Sequence, residues 1–275
     1  MSFRRALVAR INQLGLVDRH VYTVRYGPAR GLKRQGGMGW LPAFVPRGHE
    51  WEAEEAFLEQ IKWAGKTVYD VGGDQGIFSL FLAKRVGPTG RVVVFEPNPR
   101  SYQRILTNVG LNDFDNVRVL PIGLGERAEA LTFVFPKSEP ARGSAAQSVR
   151  TLVSQEADTV SCEIAVAALD DEMIRLDLPK PDFIKLDVEG MEWHALRGMR
   201  RTLEQHRPHL FVEIHGSDVD DKIANVRRVV SLLEEVGYDM RHVEGGAAIT
   251  GANAELACRG HLYCTHRQAS AAPAK

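Results

Sequence analysis

Asp70, Gly72 and Gly76 form an Asp-x-Gly-x-x-x-Gly run that follows directly on Val68, Tyr69 and Val71. Glycines between a strand and a helix let a ligand approach the backbone closely and meet the helix N-terminus. Glu96 comes 24 residues after Gly72, at the end of the next apolar run. An ionised carboxylate has two acceptor oxygens and no donor, so Glu96 can accept both hydroxyls of a ribose. A dinucleotide fingerprint would need glycines third and sixth from Gly72, where Asp74 and Ile77 stand. The turn therefore suits a nucleoside-bearing ligand other than a nicotinamide dinucleotide. Asp187 closes a later apolar run, and Glu213 and His215 alternate along another, so their side chains project to one side.

These residues need a scaffold that gathers strand ends. The β-formers Val68, Tyr69 and Val71 predict a strand, and Ile77, Leu80, Phe81 and Lys84 a helix stopped by Gly87-Pro88. A second strand over Arg91–Glu96 meets Pro97-Asn98-Pro99, with Asn98 as N-cap and Pro99 as first helical residue. Further strands are expected at Val117–Ile122, Leu131–Phe135, Ser161–Ala167, Asp182–Asp187 and His209–His215. Met191, Ala195, Met199 and Leu203 read as one helix face, and Ile223, Val226, Val230 and Leu233 as another. Tyr238–Val243 and Leu256–Thr265 are expected to close the sheet as an antiparallel pair. The order implies an α/β, doubly wound, mostly parallel sheet, whose ligands sit beyond the carboxyl ends of the strands.

The 275 residues, 44% of them apolar, suit one α/β domain with appendages. We divide the chain into a basic N-terminal helix and strand cap (1–48), a main domain (49–267) and a disordered tail (268–275). The cap holds nine Lys or Arg against Asp18 alone through residue 47. A short amphipathic helix is expected over 2–18, with turns at Gly27–Gly31 and Gly36–Gly39. The total charge is zero, so nucleic acid gains no support as a partner. Cys162, Cys258 and Cys264 lack metal-ligand spacing; Cys258 and Cys264 share the parity of one strand face. No signal peptide or membrane span is visible, and a reducing cytoplasm is the expectation. Lys137–Thr159 is the longest stretch without period, either a lid or a disordered insertion.

Val68-Tyr-Asp-Val-Gly-Gly-Asp-Gln-Gly-Ile-Phe-Ser79, Phe95-Glu-Pro-Asn-Pro99 and Ile184-Lys-Leu-Asp-Val-Glu-Gly-Met-Glu192 resemble S-adenosylmethionine-dependent methyltransferases of the FkbM family. The resemblance runs from the Tyr26–Gly31 turn to Val212–His215, and Lys-x-Asp-x-Glu-Gly is its most specific motif. It implies a Rossmann-like class I methyltransferase sheet and S-adenosylmethionine as cofactor. The backbone of Gly72, Gly73, Asp74 and Gly76 would then pass the methionine part, with Asp70 near its amino group. Glu96 would hold the ribose, and Pro97, Asn98, Gly123 and Leu124 would shape the adenine slot. Asp74 departs from the family's usual Asn within Gly-Ala-Asn-x-Gly, and its extra carboxylate would either weaken binding of the cofactor's carboxylate or favour its ammonium.

Methyl transfer from a sulfonium needs alignment of donor and acceptor, and a hydroxyl acceptor also needs a base. His215 or Asp187 is the expected base, with Glu213 and Glu189 orienting the acceptor and Lys185 neutralising Asp187. Asp187, Glu213 and His215 are alternatively candidate ligands for a divalent metal that polarises a hydroxyl. The resemblance points to a small-molecule acceptor, a hydroxyl of a sugar, polyketide or related metabolite. Selectivity is expected from the basic cap, where Arg30 and Arg34 are candidate grips for an anionic acceptor group, and from the 137–159 stretch. The competing readings are a nucleotide-sugar or NAD enzyme and a non-catalytic nucleoside-binding module.

Overall fold

The computed structural model describes residues 20–25, 27–36, 49–137, 143–156 and 158–267. The helix expected over 2–18, the turn beyond Gly36 and the tail 268–275 lie outside the described residues.

A short hairpin comes first, β1 (Val21–Thr23) paired antiparallel with β2 (Lys33–Gln35), followed by α1 (His49–Glu59). The central repeat is β3 (Thr67–Val71), α2 (Ile77–Val86), β4 (Arg91–Phe95), α3 (Pro99–Gly110) and β5 (Val117–Leu120). The two helices of this repeat start at residues the sequence marks. Gly76 precedes α2 at φ 82, and Asn98 caps α3 by accepting the Arg100 amide at 3.0 Å, with Pro99 behind it. Next come β6 (Gly123–Leu124), β7 (Glu129–Pro136), α4 (Gln147–Val153) and β8 (Thr159–Ala167). The chain continues through α5 (Leu169–Arg175), β9 (Phe183–Leu186), α6 (Glu192–Gly198), α7 (Arg200–His206) and β10 (His209–Glu213). It ends with α8 (Val219–Glu235), β11 (Tyr238–His242), β12 (Ala248–Ile249), a 3-10 helix Ala254–Cys258 and β13 (His261–His266).

The main sheet has the order β12-β11-β13-β10-β9-β3-β4-β5. From β5 to β10 all neighbours are parallel, and β13 inserts antiparallel between β10 and β11. This is the mostly parallel, doubly wound class I arrangement. The chain winds outward from β3 through β4 and β5, then returns to β9 on the other side of β3. That reversal opens a crevice beyond the carboxyl ends of β3 and β9, where ligands of open α/β sheets bind. Apolar side chains cover both faces: Tyr69, Phe95, Ile184, Leu210 and Val212 on one, Val68, Val92, Val94, Phe183 and Phe211 on the other.

Several expectations change. β6, β7 and β8 leave the main sheet and form a separate sheet of order β6-β8-β7. The helix face from Met191 to Leu203 belongs to two helices, since Met199 leaves helical geometry at φ −117 and ψ 16. Its apolar residues Ala195, Met199 and Leu203 are nonetheless all buried, so the core face continues across the break. Leu256 and Cys258 lie in the 3-10 helix rather than a strand, so only Cys264 is a buried strand thiol. The stretch 137–159 contains α4, which buries Val149 and Val153 one helical turn apart.

Candidate active site

Gly72 stands at φ 86, and a Cβ there would fall 1.7 Å from the Asp187 carbonyl oxygen. Only glycine fits where β3 and β9 come this close. Asp74 is also left-handed, at φ 46, and its amide donates to Glu96 Oε2 at 2.8 Å. The other carboxylate oxygen of Glu96 accepts the Asn98 amide at 2.8 Å. Glu96 thus ties the glycine turn to the turn after β4 and keeps further lone pairs for a ligand. Burial pushes its carboxyl up to about 8, against the pull of those two amides. Burial likewise raises Asp74 to about 6, opposed by the Gln75 amide and by Arg34. Beneath the turn, buried Asp70 accepts the Ser79 hydroxyl at 2.5 Å and is also raised by burial. Asp70 Oδ1 and Asp74 Oδ1 are buried without a hydrogen-bond partner. Of these, Asp74 borders a cavity, and its unsatisfied carboxylate oxygen beside a glycine cradle fits a ligand that brings an ammonium group.

The second group lies beyond β9 and β10. Lys185, buried in β9, places its ammonium 3.0 Å from Asp187 Oδ2 and 4.8 Å from the Phe78 ring centre. Burial opposes its charge, but Asp187, Asp70 and Glu54 outweigh that and hold it above the usual lysine range. His215 Nδ1 meets the buried Glu192 Oε1 at 3.1 Å, and Nε2 meets Glu213 Oε1 at 3.4 Å and Glu189 Oε1 at 4.0 Å. Glu192 is itself fixed by the Asn225 side-chain amide at 2.7 Å and the Gly190 amide at 2.9 Å. Burial disfavours charge on His215, yet Glu192 and Glu213, with Asp187 and Glu189 behind them, raise it well above the usual histidine range. Glu213 is correspondingly low: its burial is outweighed by hydrogen bonds to His215 and His261. Burial pushes Glu189 up to about 7. Among the described residues, Asp187, Glu213 and His215 also offer one ligand atom each within 4.8 Å of one another.

Both groups line one cavity of about 340 Å³, within the size range of small-molecule sites. Gly72, Gly73, Asp74, Glu96, Pro97, Gly123 and Leu124 are in its wall, and so are Asp187, Glu189, Glu213 and His215. Asp70, Gly76 and Asn98 lie behind it, holding the turns. Arg30 and Arg34 do not line it. Arg34 is buried against Gln75, and Arg30 borders a separate cleft with Glu55, Glu59, Lys84 and Arg85. Gly143 and Ala145, from the stretch before α4, do line the cavity. Ser144 anchors that stretch by donating to the Glu189 carbonyl at 2.6 Å.

The sequence reading missed His261 and Glu54. His261 enters because β13 pairs with β10, opposite Glu213 in register. Its Nδ1 lies 2.6 Å from Glu244 Oε1, and its Nε2 lies 3.6 Å from Glu54 Oε1 and 3.5 Å from Glu213 Oε2. Burial opposes its charge, but these carboxylates raise it to about 9, while burial raises Glu54 to about 7. No local spacing links residues from α1, β10 and β13; only the final antiparallel pairing could have pointed to His261.

A family model for the methyltransferase FkbM domain matches residues 70–240. The chain is 26% identical over 183 residues to Methyltransferase 1 of Beauveria bassiana, covering 62% of this chain and 71% of that protein. It is 29% identical over 170 residues to the hexuronic acid methyltransferase AglP of Haloferax volcanii, covering 62% of this chain and 61% of AglP. The chain thus spans under two thirds of AglP. Among solved structures it is similar to a methyltransferase FkbM from Methylobacillus flagellatus KT, with 20% identity and a TM-score of 0.47, covering 76% of this chain and 45% of that one. No helix among the described residues is long and apolar enough to cross a membrane.

Proposed function

The chain belongs to the FkbM methyltransferase family, and on that premise we propose that it transfers a methyl group from S-adenosylmethionine to a hydroxyl of a sugar, polyketide or related small acceptor. One observation carries this reading: the glycine turn and Glu96 share a single cavity with Asp187, Glu189, Glu213 and His215. S-adenosylmethionine supplies an electrophilic methyl on a sulfonium. The unpartnered Asp74 oxygen suits its ammonium, with Asp70 holding the turn behind, and the free lone pairs of Glu96 suit its ribose hydroxyls. The hydroxyl-rich acceptor class is supported by the similarity to AglP, a hexuronic acid methyltransferase.

In this reading Asp187 receives the acceptor's proton. Lys185 engages Asp187 Oδ2 and leaves Oδ1 toward His215, 3.8 Å from its Nδ1. His215, one of the two residues the sequence suggests as base, is held protonated by Glu192 and Glu213. A protonated imidazole cannot take a further proton, so His215 orients the acceptor oxygen and stabilises charge beside it. Glu213 fixes the imidazole, and Glu189 completes the wall. The partly apolar lining, including Phe78, Phe133, Ile164 and Val166, excludes water from the transfer. Calorimetry separates this reading from its rivals: S-adenosylhomocysteine binds and NAD does not, and the reverse pattern overturns it.

A second reading rests on the metal-like set of Asp187, Glu213 and His215. A divalent ion there would polarise the acceptor hydroxyl and take the place of the His215 proton. The Lys185 ammonium on Asp187 already offsets part of the negative charge such an ion would need, so the proton-transfer reading ranks first.

A further inference from the structure

The β1–β2 hairpin is fastened to the cofactor turn itself. Arg34, in the middle of β2, is 6% exposed, and its Nη2 donates to Gln75 Oε1 at 2.6 Å. Gln75 lies between Asp74 and Gly76 in the glycine turn. The main chain of Gln75 is held from the same strand by one intermediary. Its carbonyl accepts Asn108 Nδ2 at 3.0 Å, and Asn108 Oδ1 accepts the Gln35 amide at 2.7 Å. Asn112 then pairs with Lys33 in both directions, at 2.8 Å and 2.7 Å, which seats β2 along α3. Side chain and main chain of one turn residue thus both lead back to β2.

The neighbouring Asp74 gives this linkage a consequence. It is a non-glycine residue at φ 46 that lines the cavity, with Oδ1 buried and unpartnered. A left-handed conformation outside glycine is strained and persists where its surroundings enforce it. Arg34 supplies a charge opposite to that of Asp74 and a hydrogen bond to the next residue. Arg34 also pairs with Tyr22, its cross-strand neighbour in the hairpin, while its Nε has no hydrogen-bond partner, so one buried guanidinium serves both the hairpin and the glycine turn.

We propose that Arg34 is a positioning residue for the cofactor: through Gln75 it holds Asp74 in the geometry that receives the cofactor's amino-acid end. Hairpin docking therefore raises cofactor affinity, and cofactor binding tightens the hairpin by the same factor. The proposal rests on the reading of the glycine turn as the S-adenosylmethionine site. Arginine is required because one guanidinium carries the Nη2 hydrogen bond to Gln75 and a charge that acts on Asp74, which a lysine point charge does not reproduce.

The test uses the full chain with Arg34→Met, Arg34→Lys, Gln75→Leu and the Arg34→Met/Gln75→Leu double variant. S-adenosylhomocysteine Kd is read by calorimetry and hairpin order by hydrogen exchange over residues 21–36. Each single variant is expected to weaken binding about tenfold, within the usual range of coupling between sites. KM for S-adenosylmethionine rises with it, while kcat and the acceptor KM stay near wild type. Arg34→Lys recovers little, and the double variant is no worse than either single one. Cofactor slows exchange in the wild-type hairpin and not in Arg34→Met. Wild-type Kd in either single variant, or additive losses in the double variant, overturns the proposal. Gln75→Leu keeps the test open if Arg34→Met does not fold. A wild-type chain that binds no S-adenosylhomocysteine overturns the cofactor reading beneath it instead.

Discussion

Glu96 Oε2 accepts the amide of Asp74 at 2.8 Å, so the carboxylate at the end of β4 fixes the glycine turn at the end of β3. The residue expected to hold the ribose also shapes the loop expected to pass the methionine part. Replacing Glu96 with Gln turns one of two acceptors into a donor facing an amide. An unsatisfied buried group costs about 1–3 kcal/mol, so Glu96→Gln is expected to weaken S-adenosylhomocysteine binding about tenfold or more and to lower Tm. An unchanged Kd by calorimetry would remove Glu96 from the site.

Burial raises Glu96 from 4.5 to about 8, which sets two opposite pH trends. The folded apoprotein keeps a proton that the unfolded chain releases near 4.5. The resulting stability is present below 4.5 and is lost as pH rises through about 8. His261, raised from 6.5 to about 9, adds a loss of the same sign between those values. The apoprotein Tm is therefore expected to fall between pH 6 and 9. Cofactor binding needs ionised Glu96, so its affinity should tighten roughly tenfold per unit up to about 8 and then level off. Calorimetry across that range checks it, and Glu96→Gln should flatten the profile.

Asp187→Asn is expected to lower kcat by about 10²–10⁴-fold, the usual share of a general base, with cofactor Kd little changed. Glu192→Gln removes the charge that holds His215 Nδ1 and should lower kcat while lowering the His215 pKa. An NMR titration of the His215 ring in Glu192→Gln tests the second effect. A kcat untouched by both substitutions would move the chemistry away from the ends of β9 and β10.

Gly72→Ala puts a methyl group 1.7 Å from the Asp187 carbonyl at a backbone φ of 86. The clash and the strain together are expected to cost about 3 kcal/mol or more, or on the order of 10 °C in Tm, and to abolish cofactor binding. Thermal denaturation and calorimetry on the variant read both.

Exhaustive chelation distinguishes the two ways of activating the acceptor. With Asp187 as base, turnover is expected to survive chelation unchanged. A loss restored by Mg2+ or Mn2+ would favour a metal on Asp187, Glu213 and His215.

What the sequence revealed followed from local signals. Gly72, Gly76 and Asn98-Pro99 mark where strands turn into helices and Gly87-Pro88 where α2 ends, so the glycine turn, α2, α3 and the carboxylates at strand ends could be read directly. Asp187 and His215 were found for the same reason: they close apolar runs. His261 and Glu54 were hidden because they reach the cavity through the β10–β13 pairing and the packing of α1, which leave no spacing signature. The helix α4 was obscured by a Gly-, Ser- and Ala-rich lead-in, although Val149 and Val153 stand one helical turn apart. Arg34 reads in the sequence as a candidate grip for an anionic acceptor group within a basic head, not as a buried residue. Its burial depends on a two-stranded hairpin, and a three-residue β2 is too short to show a period.

The central claim is methyl transfer to a hydroxyl, and mass spectrometry tests it most directly. The protein is incubated with S-adenosylmethionine carrying a deuterated methyl group and a panel of hexuronic acids, hexoses and hydroxylated polyketides. The account predicts an acceptor that gains one labelled methyl group on oxygen, with one S-adenosylhomocysteine formed for each product, and no such product from Asp187→Asn. Label arriving only on nitrogen or carbon, or wild-type yield from Asp187→Asn, would contradict it.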